Sequence, residues 1–254
     1  MIDIHSHILP GIDDGAENLE VSLEMLRMAA ESGTTDIVAT PHASFEFPYD
    51  GPRARSLLAE VREAVGSRIN VHLGCDLHLH HENIRNAVAE PAAYTVNGGR
   101  YLLVEFSDLL ILPATEAIFE EMRQAGIVPI VTHPERNPLL QVRIERMKQW
   151  AAGGVLLQVT ADSFLGRWGR EARECAARLM DLNLVHAVAS DAHGAKDRTP
   201  RLDRAFEYVS RRWGEARAER LFRANPAAVI RNEELPPPGA EPAPAKRKWY
   251  RPWS

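Results

Sequence analysis

The sequence predicts a parallel α/β fold, a barrel in preference to an open doubly wound sheet. Two observations carry this. There are seven short apolar runs, most of them continuous rather than alternating, as strands buried on both faces are, and helical segments separate most of them. The His, Asp and Glu residues that stand out for their chemistry fall where these runs end, which is where parallel barrels place their active sites. A chain of 254 residues with 45% hydrophobic and 26% charged residues suits one large α/β domain.

The first strand contains Ile2-Asp3-Ile4-His5-Ser6-His7, in which Ile2 and Ile4 alternate with Asp3, His5 and His7. Side chains two apart on a strand leave the same face, so His5 and His7 can converge on one metal ion. A turn-rich loop, Leu9 to Gly15, follows. Asn18 is placed to cap a helix over 19–32, with Leu19, Leu23, Leu26 and Ala30 on one face and Gly33 as its stop. The second strand, 35–40, ends at Pro41-His42, and a helix over 52–65 precedes the third, 69–76, which ends at Asp76. The fourth, 101–106, carries Glu105. A helix near 114–125 leads to the fifth, 127–132, which ends at His133-Pro134-Glu135-Arg136. A helix near 140–152 leads to the sixth, 155–160. A helix near 168–182 leads to the seventh, 184–189, which ends at Ser190-Asp191-Ala192-His193. Helices near 200–213 and 214–223 complete a barrel over 1–234. From 235 to 254 the chain is Pro-rich and ends in a basic-aromatic run, Lys246 to Trp253, read as an extended, disordered tail.

The net charge of −5 argues against a general nucleic-acid binder. No apolar run has the length of a membrane span. The two cysteines, Cys75 and Cys175, suit a reducing, cytoplasmic setting. Neither is followed six residues later by an arginine, since His81 and Asp181 stand there, so cysteine-based phosphatase chemistry is not expected.

His5, His7, Asp14, His42, Asp76, Glu105, His133, Asp191 and His193 are too many for one ion and enough for two or three. An imidazole and carboxylate set without sulfur suits Mn, Fe or Zn. Such a site lowers the pKa of a bound water and clamps oxygens in displacement at phosphorus. Arg136 and Arg198 follow two of these residues and can fork onto phosphate oxygens or be ordinary surface arginines. His78, His80 and His81 read as a solvated polar loop at the site mouth, and Phe164 and Trp168 as packing residues.

Five segments, IDIHSHILPGIDDG (2–15), VATPH (38–42), THPERN (132–137), QVTADSFLGRWG (158–169) and ASDAHGAKDR (189–198), together resemble the polymerase-and-histidinol-phosphatase (PHP) superfamily. Within it the chain is similar to the bacterial capsule/exopolysaccharide protein-tyrosine phosphatases of CpsB/YwqE type. The resemblance implies a distorted (β/α)7 barrel, up to three metal ions, usually Mn2+, and metal-activated hydrolysis of phosphotyrosine on the tail of a bacterial tyrosine kinase. It assigns His5, His7 and Asp191 to a first ion, and Asp76 as the bridge to a second ion held by Glu105 and His133. Asp14, His42 and His193 fall to a third, with Arg136 and Arg198 on the phosphate. Asp76 stands where similar sequences commonly have Glu, which puts the second site's geometry in question. The alternatives are a PHP small-molecule phosphatase of histidinol-phosphate type and a weakly active, kinase-binding scaffold.

Overall fold

The computed structural model describes residues 1–235, and every strand pairing in it is parallel. In chain order the first elements are β1 (Ile2–Ser6), α1 (Leu19–Glu31), β2 (Asp36–Ala39), β3 (His42–Ala43), α2 (Gly51–Val65), β4 (Asn70–Leu73) and β5 (Asp76–His78). Next come α3 (His81–Ala89), α4 (Pro91–Tyr94), β6 (Tyr101–Glu105), α5 (Thr115–Gln124), β7 (Val128–Thr132), α6 (Pro138–Gln141) and α7 (Ile144–Ala152). The last are β8 (Leu156–Thr160), α8 (Ala161–Phe164), α9 (Gly169–Asp181), β9 (Ala187–Ala189), α10 (Asp203–Trp213), α11 (Glu215–Glu219) and α12 (Asn225–Ile230).

The strands form two sheets, β1-β2-β4 and β3-β5-β6-β7-β8-β9. They are one wall, because β2 continues into β3 across Thr40-Pro41 and β4 into β5 across Gly74-Cys75. Hydrogen bonds bridge both joints, from Gly74 N to Ala39 O (2.8 Å) and from Asp76 N to Pro41 O (3.1 Å). The wall closes just beyond the strand ends, where Asp191 N donates to His5 O (2.9 Å) and His7 N to Ala192 O (2.8 Å). The staves are therefore β1, β2/β3, β4/β5, β6, β7, β8 and β9, and the fold is a distorted (β/α)7 barrel. The predicted strands all exist. The third differs in being broken at Gly74, where an added Cβ would meet the side chains of Val96, Val38 and Thr40 at 3.2–3.4 Å.

On β6, β7 and β8 the same-face residues run from apolar to polar toward the C-terminal end: Leu103 to Glu105, Ile130 to Thr132, Leu156 to Gln158. Leu103, Ile130 and Leu156 join Ile4, Val38 and Ala189 in one buried apolar cluster. A second cluster packs α1 and α2 on β2 and β4, and a third packs the helices α5, α7 and α9 on β6 to β9. The polar ends of the strands thus rest on an apolar plug, which keeps them in place.

Several local expectations are corrected. Asn18 does cap α1, accepting from Val21 N at 3.0 Å, but the most buried face is Ser22, Met25, Leu26 and Ala29, rotated from the expected Leu19–Leu23–Leu26–Ala30 stripe because Met25 is a core residue. The histidine run is not a loop. His78 ends β5, His80 caps α3, and His81 begins it; Ile84 and Ala87, three apart, anchor that helix. The helix expected near 140–152 is two pieces, α6 and α7, and the one near 168–182 is preceded by α8. The last expected helix passes through a π-turn at Arg220–Ala224 into α12. Of the tail expected over 235–254, only Leu235 lies within the described residues. Among those residues no helix is long and apolar enough to cross a membrane.

Candidate metal centre

All nine expected His, Asp and Glu residues meet at the C-terminal end of the barrel. Their candidate donor atoms fall into four overlapping groups: His7, Asp14, His42 and His193; His42, Asp76, His78 and Glu105; His5, His7 and Asp76; and His5, His133 and Asp191. Within each group the atoms lie within 4.8 Å of one another. His78, expected in solvent, belongs to the cluster.

The ring tautomers follow from their partners. His5 Nδ1 is 2.9 Å from Gln158 Oε1 and donates to it, which leaves Nε2 facing inward. His7 Nδ1 is 2.8 Å from Asp13 Oδ2, with the same consequence. His193 Nδ1 donates to Asp191 O at 3.0 Å, and its Nε2 lies 3.4 Å from Asp14 Oδ1. The freed atoms crowd: His5 Nε2 and His7 Nε2 are 3.3 Å apart, and the His7 ring lies 3.9 Å from His193 and 4.3 Å from His42 between centroids. Asp191 Oδ1 faces His5, His7 and His193 at 3.4–3.6 Å. Asp76 is fully buried, and its Oδ2, like His42 Nδ1, has no hydrogen-bond partner. Buried, unpartnered nitrogen and oxygen atoms aimed at common points are what a divalent cation satisfies, and the absence of sulfur fits Mn, Fe or Zn.

The electrostatics agree with a site held by opposite charges. Burial works against a charged His7, yet the Asp13 and Asp191 carboxylates outweigh it and push the imidazole up to about 10. Burial likewise opposes the charge of Asp191, and His5, His7 and Arg136 overcome it, so the carboxyl stays well below its usual range. The His193 ring beside Asp14 is the main influence holding that carboxyl below its usual range. Burial first, and then the Arg136 charge, holds His133 well below the ordinary imidazole value. His133, Asp191 and Arg198 have φ of 32°, 52° and 47°, a left-handed backbone that turns their side chains at the strand ends.

Arg136 and Arg198 come to the same point. Both reach Asp191 Oδ2, Arg198 Nη2 at 2.8 Å and Arg136 Nη1 in closer contact. Trp168, expected only to pack, lies under both guanidinium groups, 3.7 Å from Arg136 Cζ and 5.5 Å from Arg198 Cζ. His42, His78, Glu105, His133, Asp191, His193 and the two arginines line one cleft of about 220 Å³, with Asp14 and Glu46 at its exposed rim. Sequence reasoning missed Asp13, Gln158, His78 and the placement of Trp168. For Asp13 a signal existed, since it stands beside Asp14 in a turn-rich loop.

Both cysteines are buried and free. Burial raises Cys75 well above the ordinary thiol value and pushes Cys175 up to about 12, so neither presents a thiolate.

Fold and site together define a parallel-barrel protein of the metal-dependent hydrolase kind, with a donor set that suits divalent cations and two arginines that meet at Asp191. The chain belongs to the CpsB/CapC family of capsular polysaccharide synthesis, which it matches over residues 1–231. It is 29% identical over 239 residues to the tyrosine-protein phosphatase YwqE of Bacillus subtilis (92% of this chain, 93% of YwqE). It is 27% identical over 242 residues to the tyrosine-protein phosphatase CpsB of Streptococcus pneumoniae (92% and 99%). A chain from the crystal structures of these two proteins, described as unique metal-dependent tyrosine phosphatases, superposes with a TM-score of 0.87 at 29% identity, covering 94% of this chain and 98% of that one. The phosphotriesterase homology protein of Escherichia coli, 12% identical with a TM-score of 0.58, shares the fold.

Proposed function

We propose that this protein is a metal-dependent protein-tyrosine phosphatase. In this reading its substrate is phosphotyrosine on the tail of a bacterial tyrosine kinase that regulates capsule or exopolysaccharide synthesis. The observation that carries the proposal is the joining, in one cleft, of the His/Asp/Glu cluster with Arg136 and Arg198. His5, His7 and Asp191 would hold a first ion, Asp76, Glu105 and His133 a second, and Asp14, His42 and His193 a third. Mn2+ is the ion we favour, with Fe or Zn the other candidates the donor set suits. Bound divalent ions supply a water of lowered pKa and positive charge toward the phosphoryl oxygens.

The protein's own groups do the rest. Arg136 and Arg198 take the phosphoryl oxygens, each keeping free N–H donors beyond its contact with Asp191. Trp168 fixes the plane of both forks, so the phosphorus is presented in one orientation. Asp13 and Gln158 fix the His7 and His5 rings from behind. A phenol with pKa about 10 is a tolerable leaving group, so a strong general acid is not required. Phe45 is exposed between Ser44 and Glu46, which line the cleft, and Leu109 and Leu110 are exposed on the loop that follows β6. They supply apolar surface for residues flanking a tyrosine, which favours a protein-borne substrate over a small phosphate ester.

The test is hydrolysis of a phosphotyrosine peptide by the full chain, with and without Mn2+ and chelator, alongside metal analysis. Arg136→Ala is expected to keep its metal and to lose turnover by at least a hundredfold, the scale of removing a positioned charge from a transition state. A protein that loads metal and cleaves only a small phosphate ester would refute the substrate assignment.

A further inference from the structure

We infer that His78 is itself a metal ligand, sharing one divalent cation with Asp76 and Glu105. The inference rests on the metallophosphatase reading and goes beyond it, since the expected ligand set does not contain His78.

β3, β5 and β6 are adjacent and parallel, with His42 paired to Asp76 and His78 paired to Glu105. Paired residues on neighbouring strands share a face, and so do Asp76 and His78, two apart on β5. The four side chains therefore form a staggered patch on one face, Asp76 and His78 on the central strand with His42 beside the first and Glu105 beside the second. The structure shows that patch closed: their donor atoms lie within 4.8 Å of one another, and His78 Nε2 touches Glu105 Oε2. Octahedral or tetrahedral ligands about 2 Å from an ion need only a small contraction from there.

The patch also needs a donor that His78 can give. Asp76 is fully buried and offers it one oxygen, because Oδ1 is turned toward Thr132 Oγ1 (3.5 Å) while Oδ2 is left without a hydrogen bond. His42 is contested, with Nδ1 3.2 Å from Asp76 Oδ2 and Nε2 3.5 Å from Asp14 Oδ1. A neutral imidazole has one lone pair to give. If Nε2 serves the ion beside Asp14 and His193, Nδ1 keeps its proton and is lost to the Asp76 side. Glu105 divides its oxygens, Oε1 lying 3.5 Å from His133 Nε2 and Oε2 against His78. An ion between Asp76 Oδ2 and Glu105 Oε2 can then draw its imidazole from His78, whose Nε2 already meets Glu105 Oε2. The neighbouring His80 and His81 enter no such group.

The test uses the full chain loaded with Mn2+. Anomalous diffraction at the manganese edge should place His78 Nε2 within bonding distance, about 2 Å, of an ion that also contacts Asp76 and Glu105. Equilibrium dialysis should show His78→Ala binding its weakest-held equivalent of Mn2+ at least tenfold less tightly, the scale of disturbing a ligand shell. Circular dichroism checks that the variant is folded, and His78→Gln gives a second, bulkier control. Wild type that loads Mn2+ with His78 standing away from every ion, or a folded His78→Ala with unchanged affinity, would overturn this inference and leave the phosphatase reading intact. Wild type that takes up no metal would overturn both.

Discussion

His186 offers a prediction whose size can be worked out from its surroundings. It is buried at the entrance to β9, where its Nδ1 accepts a hydrogen bond from Leu157 N at 3.0 Å. Its own N–H donates to Leu157 O at 2.9 Å, and its carbonyl accepts from Asn225 Nδ2 at 2.7 Å. It thus ties β9 to β8 and to the C-terminal helices. An accepting Nδ1 must be unprotonated. Burial, followed by the charge of Arg220, pushes the imidazole down from 6.5 to about 4. With the folded value below the unfolded one, the stability due to neutral His186 is fully present above pH 6.5 and is lost as pH falls toward 4. The whole gap corresponds to about 3 kcal/mol at about 1.4 kcal/mol per pH unit, and about 2 kcal/mol of it is gone at pH 5. Urea unfolding, followed by circular dichroism on chelator-stripped protein at pH 7 and pH 5, measures this without acid-driven metal release. His186→Gln keeps an acceptor for Leu157 and removes the titration. The wild type should lose about 2 kcal/mol more than the variant between the two pH values. Equal losses would refute the reasoning.

Two further substitutions test the site. In Gly15→Ala the new Cβ would lie 2.0 Å from His7 O, so the loop carrying Asp13 and Asp14 must move; equilibrium dialysis should show metal affinity reduced by about tenfold or more. Trp168→Ala removes the ring beneath Arg136 and Arg198. With about 0.5–2 kcal/mol at stake, KM for a phosphotyrosine peptide should rise about two- to thirtyfold while metal content stays constant.

The strands were legible because their residues have no solvent face to encode. Leu102 to Val104 and Leu156 to Leu157 are apolar on both sides, and polar residues enter only toward the C-terminal end, at Glu105 in β6 and at Gln158 and Thr160 in β8. The same rule exposed His133, Asp191 and Glu105 as site residues. Where the signal failed, it did so for local reasons. The break between β4 and β5 is a matter of space around Gly74, which no periodicity reports. The start of α3 is polar, and its two core residues, Ile84 and Ala87, are too few to announce a helix. His78 looked solvated in a run of histidines, and only the pairing of β5 with β6 sets it opposite Glu105. Gln158 acts on His5, 153 positions away, and Trp168 on Arg136 and Arg198, at least thirty positions away, and no local pattern marks either of them.

The crowding of the cluster bears on the stability of the barrel as well as on its chemistry. Imidazoles with centroids 3.9–4.3 Å apart repel one another if several carry protons, and buried carboxylates such as Asp76 and Asp191 resist burial if they carry none. A divalent ion resolves both demands at once, because it binds the neutral ring and the charged carboxylate. The same residues also close the barrel: the backbone of Asp191 is bonded to His5 O, and Asp3, two residues before His5, accepts from Ser190 N at 3.0 Å. The seam between β9 and β1 is therefore built from the segments that carry the proposed ligands. Metal bound at this end would hold that seam from its open side, while the apolar plug around Leu103 and Ile130 holds it from below. Without metal the seam, which has no strand ladder between β1 and β9, is where the barrel should open first.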